Sequence, residues 1–493
     1  MNIPIVLYTV SNLVLMLAGI LLVPLGVAFY YKEDSSVWAF IYTIIIAGIL
    51  GGLSKAFFRK KEEIGIREGI TIVTLSWIVC IFLGAIPFLY SGVCTTYCDA
   101  VFETTSGFTT TGASIFKDVE TLPHSILFWR AFTAWLGGMG IIVIFVALLP
   151  AMGVSGYQLF SAEVSGPTAD RLRPRIGETA KILWVIYLII TASMTIMLIC
   201  GGMPVFDAIC HTFSTVSTAG FSTKNSSIAY YDNLYIEIVF GVFMFICGCN
   251  FSLYYMCFQK EFKKIINNSE FKFFLSLITI AIVFVALMLY FSQPESYNGG
   301  VKDSRYYSVG NSFRYAFFQV MTASSTTGHA SIDFDLWPNA CRFLLVLLMF
   351  VGACAGSTGG AIKCVRIVLL LKSSLRDLGR IIRPRMIKHV KLNGESVNEE
   401  IITESSVFFV IYLGVFGIST LALISLNTDI ITAFSAVATC MANCGPGLAK
   451  VGPMANFSDV AYAGKWLLSF CMLLGRLEIY SLILLFLPVL WKR

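Results

Sequence analysis

Uncharged apolar stretches of the length a helix needs to cross about 30 Å of hydrocarbon recur along the whole chain. They cover residues 4–31, 37–54, 69–92, 131–150, 182–205, 238–259, 273–293, 343–371, 405–428 and 466–490. The pattern predicts an all-α polytopic membrane protein with ten crossings. An even number of crossings puts both termini on one side, and the basic residues say which. Five lie between Lys55 and Arg67, four between Arg171 and Lys181, four between Lys260 and Lys272, nine between Lys363 and Lys391, and Lys492 and Arg493 end the chain. Thus 24 of the 35 basic residues share one face. By the bias of lysine and arginine toward the cytoplasm, that face and both termini are cytoplasmic.

Between spans on the opposite, outer side lie four apolar, Ser/Thr-rich segments too short to cross: 99–114, 207–222, 312–331 and 429–447. Their length predicts re-entrant loops. They resemble one another, each closing on a glycine, and Gly112, Gly220, Gly328 and Gly445 are 108, 108 and 117 residues apart. The unit of helix, re-entrant loop and helix is therefore repeated four times, behind two leading helices. The predicted organisation is 1–68 for the leading helices, 69–180 and 181–270 for repeats 1 and 2, 271–400 for repeat 3 with a cytoplasmic linker, and 401–493 for repeat 4.

Backbone at membrane depth survives only where protein or a water-filled cavity satisfies its hydrogen bonds, so four such loops on one side are expected to meet around a pseudo-fourfold axis. In Thr110, Thr111 and Gly112, in Thr218, Ala219 and Gly220, in Thr326, Thr327 and Gly328, and in Asn443, Cys444 and Gly445, the glycine permits backbone angles that turn successive carbonyls inward. Rings of carbonyls replace the hydration shell of a cation. Asp99 and Asp207 lie 13 residues before Gly112 and Gly220, at the expected starts of short helices whose negative ends point at the loops. The third repeat departs from this, with Arg314 and Tyr315 in place of an aspartate.

Composition narrows the alternatives. With 57% hydrophobic and 13% charged residues, the chain has too little polar surface for a soluble enzyme or a nucleic-acid module, and the net charge of +6 is accounted for by the cytoplasmic face. An organic-solute carrier would carry a midplane site between inverted or parallel repeats, not four like-oriented outer loops. No nucleophile, base or metal-ligand set converges, so no enzyme and no bound cofactor is expected. His124, His211, His329 and His389 lack ligand spacing. Of the 14 cysteines, Cys80, Cys200, Cys247, Cys249, Cys354 and Cys471 fall in apolar runs as small core residues, and Cys94 and Cys98 are expected as free outer thiols rather than a disulfide. The N-terminal apolar run, with no basic region before it, is expected to be a retained helix.

Two features lie beneath the loops. Val351 to Ile362 interrupts a long span with Gly352, Gly356, Gly359 and Gly360, where backbone is expected to unwind toward a cavity. Arg476 lies ten residues into the last span, where a charge costs about 2.5 to 3.5 kcal/mol unless it faces a cavity or a partner, so it is expected to face the pore. Glu478 is two residues away, on another helix face, which excludes an intrahelical salt bridge. Lys363 and Arg366 are expected to snorkel toward the cytoplasm. Residues 372–400, with Arg376, Arg380, Arg383, Arg385, Lys388 and Lys391, are expected to form a linker that contacts lipid or docks a regulatory protein.

These residues resemble the Trk/Ktr/HKT superfamily of potassium transporters, and within it the bacterial TrkH-type membrane subunits. The marks are the four loops, Gly137 to Ile142 through Pro150 to the stretch Arg175–Lys181, the segment Gly356, Ser357, Thr358, Gly359 and Gly360, and the two leading helices. The resemblance implies a homodimer with a pore in each subunit, a cytosolic nucleotide-binding regulatory partner of the RCK type, and a bacterial plasma membrane, the inner one in a Gram-negative cell. It implies that residues 356–360 belong to an intramembrane gating loop; Arg476, from its mid-span charge, is expected to act as a second barrier to the ion. It also implies potassium as the transported ion, because the first-loop glycine is kept where sodium-transporting relatives carry serine. The alternative within the superfamily is a symporter permeable to sodium and potassium, and the divergent Asn443 and Cys444 leave strict selectivity open.

Overall fold

The structure is a computed structural model of the chain and describes residues 1–58, 65–140, 176–292, 308–383 and 389–488. The leading helices are α1 (Ile3–Ile20), continued by α2 (Leu22–Tyr31), and α3 (Asp34–Phe57). They cross tightly where Gly51 leaves no room for a side chain against Leu15 and the Ser11 carbonyl.

Repeat 1 is α4 (Ile66–Tyr90), α5 (Tyr97–Phe108) and α6 (His124–Gly138); repeat 2 is α7 (Ile176–Cys200), α8 (Val205–Val216), α9 (Leu234–Gly248) and α10 (Phe251–Phe258). Repeat 3 is α11 (Ser269–Ser292), α12 (Val309–Ser324), α13 (Asn339–Val351) and α14 (Cys364–Ile382). Repeat 4 is α15 (Glu399–Ser425), α16 (Ile430–Ala442), α17 (Tyr462–Arg476) and α18 (Tyr480–Phe486). The four expected re-entrant segments thus each hold one short helix: α5, α8, α12 and α16.

Hydropathy counts apolar residues and is blind to direction, so three expected spans differ from straight crossings. Among the described residues six helices are long and apolar enough to span alone, while α9 with α10 bends by 92° and α17 with α18 by 119°. At the first bend Asn250 takes an extended conformation and its side chain accepts the Ser252 N–H, starting a new helix. At the second, Glu478 and Ile479 have φ of +51° and +62°, a conformation costly for a β-branched residue. The third break, residues 352–363, separates α13 from α14. The expected linker 372–400 is helical as far as Ile382, and a two-residue hairpin pairs Lys391–Leu392 with Glu395–Ser396. Cys94 and Cys98 are free thiols, as are all 14 cysteines, and Cys200 is exposed instead of lying in the core.

Seams between repeats are held by ion pairs near the outer ends of the helices. Arg314 of α12 binds Glu237 of α9 at 2.7 Å and Asp232 at 3.0 Å, which explains the basic residue that breaks the aspartate pattern. Lys465 of α17 binds Asp99 of α5 at 2.6 Å and so joins the last repeat to the first. Both partners are largely buried, and removing one from a buried pair leaves an uncompensated charge, at a cost of about 3 to 5 kcal/mol. Lys465→Met should therefore lower the midpoint of thermal unfolding in detergent, and the double variant with Asp99→Asn should recover most of it. An unaltered melting midpoint for Lys465→Met would mean that this pair does not hold the ring closed.

Candidate functional site

The C-termini of the four short helices converge, and each ends in the same way. The N–H groups of Thr110, Thr218, Thr326 and Asn443 donate to the carbonyls of Gly107, Thr215, Ala323 and Cys440. Those of Thr111, Ala219, Thr327 and Cys444 donate to Ser106, Ser214, Thr322 and Thr439, at 2.7 to 3.0 Å. This double closure is a Schellman motif, which needs one residue in the left-handed region, usually glycine. Here Thr110, Thr218, Thr326 and Asn443 occupy it, with φ between +53° and +58°. Left-handed backbone costs about 1 to 2 kcal/mol at such a residue, least for asparagine, so three threonines are held there against their preference. Asn443, which departs from the threonine pattern, follows the same path at lower strain.

After the turn come the glycines, at φ of +80°, +80°, +87° and +98° for Gly112, Gly220, Gly328 and Gly445. Each backs onto the next loop. A Cβ on Gly112 would strike the Ala219 carbonyl oxygen, one on Gly220 that of Thr327, and one on Gly328 that of Cys444. A Cβ on Gly445 would lie 2.7 Å from the Thr111 oxygen, which returns to the first loop. The four loops therefore close a ring within a single chain, and all four glycines line the cleft of about 140 Å³ that opens above it. The loops on the outer side of this cleft are stitched by Asn225, whose side chain accepts the Val119 N–H and donates to Asp118 at 2.8 Å. That amide and the Glu120 N–H hold the Asp118 carboxyl below its ordinary pKa.

Beneath the ring lies the glycine-rich segment between α13 and α14, and every part of it is tied. The Gly360 N–H donates to Thr326 Oγ1 at 2.9 Å, and the Phe251 N–H to the Gly356 carbonyl at 3.0 Å. Thr358 Oγ1 reaches the Cys247 carbonyl, and Ser357 Oγ the Cys354 carbonyl. Gly359 packs against Thr326 and Ser325, where a Cβ would be crowded. Arg476, at the end of α17, donates to the Thr358 carbonyl at 2.8 Å, to Thr110 Oγ1 at 3.4 Å and to the carbonyls of Gly137 and Gly138. It thus sits between the ring and the segment, satisfied by carbonyl oxygens.

Several residues of this assembly escaped the sequence reading. Lys363 and Arg366 do not snorkel: both are buried, Lys363 donating to the Gly359 carbonyl and Arg366 pairing with Glu478. Short side chains and unwound backbone leave carbonyls and carboxylates nearer to these cations than the membrane surface is. Glu270, in the first turn of α11, accepts the N–H groups of both Ala355 and Val365 and so clasps the two ends of the segment. A lone acid opening an apolar helix was the available signal. His211 and His329 are buried polar residues behind the loops, and among the described residues no cluster suited to a metal ion occurs. Of the stretch from Gly137 to Lys181, residues 141–175 lie outside the described residues.

Four like-oriented loops of one chain thus close a ring, with a tied segment below it. The family of cation transport proteins called TrkH matches residues 36–492. The chain belongs to this family. It is a multi-pass membrane protein of a transporter family and not an enzyme. It is 39% identical over 487 residues to the Trk system potassium uptake protein TrkH of Salmonella typhimurium and to that of Escherichia coli K12, covering 98% of each chain. The crystal structure of the potassium transporter TrkH from Vibrio parahaemolyticus superposes with a TM-score of 0.87 at 35% identity, over the full length of both chains.

Because Gly328 meets a backbone oxygen that cannot move without opening the ring, Gly328→Ala should abolish discrimination among alkali cations. Gly26→Ala, at a helix position with open space around it, should leave discrimination intact. Competitive uptake of potassium and sodium into proteoliposomes checks both. Equal ratios for the two variants would show that the close approach at Gly328 has no part in ion choice.

Proposed function

We propose that this chain is the ion-conducting subunit of a potassium uptake system, with residues 110–112, 218–220, 326–328 and 443–445 as its selectivity filter. The observation that carries the proposal is the closed ring in which each glycine backs onto a carbonyl oxygen of the next loop. Close packing of that kind sets the spacing of carbonyls around a dehydrated cation, and potassium is the ion named for the similar proteins. Glycine at all four positions favours potassium over a sodium-permeable symporter.

In this proposal residues 356–360 obstruct the path below the filter, and Arg476 holds them there through Thr358 while presenting a positive charge to the innermost ion. The subunit works as a homodimer in the bacterial plasma membrane, the inner one where there are two, with its termini and the basic residues from Lys363 to Lys391 in the cytoplasm. A nucleotide-binding partner of the RCK type docks on that face and moves α14, and with it the end of the gating segment that Glu270 and Lys363 fasten. Anionic headgroups meet the same basic face.

The filter assignment is tested by Gly112→Ser in proteoliposomes of the purified chain. A side chain at this position displaces the Ala219 carbonyl and should admit sodium; the same potassium to sodium ratio as in the parent would sink the assignment. The gate is tested by Arg476→Ala. Loss of its bonds to Thr358 and Thr110 should raise rubidium uptake roughly fivefold, the ratio that 1 kcal/mol of lost tethering represents. Uptake that stays level or falls in a well-folded Arg476→Ala protein would assign the arginine to structural support.

A further inference from the structure

Beside the ring, from the helices behind it to the floor of the outer cleft, runs a chain of polar contacts that joins one loop to the next. Nine residues before each glycine stands a different side chain: Glu103, His211, Gln319 and Ala436. Glu103 accepts the Ile115 N–H at 2.9 Å and the Ser114 hydroxyl at 3.1 Å, both just beyond Gly112. His211 meets Ser222 Oγ at 3.0 Å, just beyond Gly220, and Gln319 donates to the Ile332 carbonyl at 3.4 Å. The four loops are braced unequally, and at this position the first carries a carboxylate where the others carry an imidazole, an amide and a methyl group.

That charge is matched by Arg130 of α6, whose Nε lies 2.7 Å from Glu103, with side chains 3% and 0% exposed. The guanidinium does more than neutralise a carboxylate. Its Nη2 donates to Ser114 Oγ at 3.2 Å and its Nη1 crosses the seam to the Ser222 carbonyl at 3.3 Å. Its plane lies 4.4 Å from the ring of Phe221, the residue after Gly220. The Ser114 carbonyl in turn accepts the Phe457 N–H of repeat 4 at 2.8 Å. One fork of donors therefore grips the segments that follow the first and second glycines, and Ser114 passes the grip to the fourth repeat.

We propose that Arg130, with Glu103 and Ser114, is a specificity-determining clamp that sets the spacing of the first two filter loops without touching the ion. The proposal rests on the filter assignment above. A planar, bidentate guanidinium holds two loops at a fixed separation, which a lysine at the same position, a single flexible point charge, does not. Whether selectivity comes from cavity size or from the number and field of the carbonyls, it requires the loops to be held in place.

The test measures potassium and sodium uptake by the purified full chain in proteoliposomes, read as a ratio per folded protein. Arg130→Lys keeps the charge and should lower the potassium to sodium ratio roughly tenfold, the equivalent of 1.4 kcal/mol. Ser114→Ala, in the outer cleft where folding is little disturbed, should lower it in the same direction by a smaller factor. A purely structural role would reduce both ions together and leave the ratio unchanged, and that result in both variants overturns the proposal. Should Arg130→Lys fail to fold, the ratio in Ser114→Ala decides. Gly112→Ser run alongside separates the two levels. If it shifts the ratio while the clamp variants do not, the clamp is wrong and the filter stands; if it too leaves the ratio unmoved, the filter assignment has failed.

Discussion

The structure depends on one steric constraint: at four places a glycine α-carbon must lie against the carbonyl oxygen of a neighbouring loop. No other residue fits, because the obstacle is backbone and not the end of a flexible side chain. Closure of this ring fixes where the four short helices end, and those ends determine how the flanking spans pack around them. Three threonines are kept in left-handed backbone against a cost of about 1 to 2 kcal/mol each, which the surrounding ring offsets.

A second constraint is electrostatic. The chain carries Arg130, Lys363, Arg366 and Lys465 buried and Arg476 partly buried, in a protein whose surroundings are hydrocarbon. None is left to solvent screening. Arg130 and Lys465 meet carboxylates at seams of the ring, Arg366 meets Glu478, and Lys363 and Arg476 meet carbonyls released by unwound backbone. Buried cations in this fold therefore fasten the irregular segments to the helices.

These two constraints meet at the end of α17. Arg476 touches the ring and the glycine-rich segment together, and two residues later the chain breaks at Glu478 and Ile479, both at positive φ. Glu478 then binds Arg366 in the first turn of α14. The proposed gate is thus tied at its centre by Arg476, at its two ends by Glu270, and at its following helix by Glu478. Two of these ties, at Val365 and at Arg366, fall in the first turn of α14.

Much of this was legible in the sequence, because a membrane imposes rules that operate along the chain. Hydrocarbon thickness sets the length of apolar runs, and repetition of a short Ser/Thr-glycine signature disclosed four equivalent loops. Gly112, Gly220, Gly328 and Gly445 were identified for the backbone freedom they turned out to need. The contacts that tie the loops and the segment beneath them were not legible, since they join residues far apart in sequence. Arg476 with Thr110, Asn443 with Thr111, and Glu270 with both ends of the glycine-rich segment arise only when the ring closes. Local rules assigned Lys363 and Arg366 to the membrane surface, whereas tertiary packing brought a carbonyl and a carboxylate to them in the interior. The sequence by itself determined the apolar runs, the fourfold repeat and its glycines; where those runs bend, and which cation meets which oxygen, was decided by how four similar units pack around a common axis.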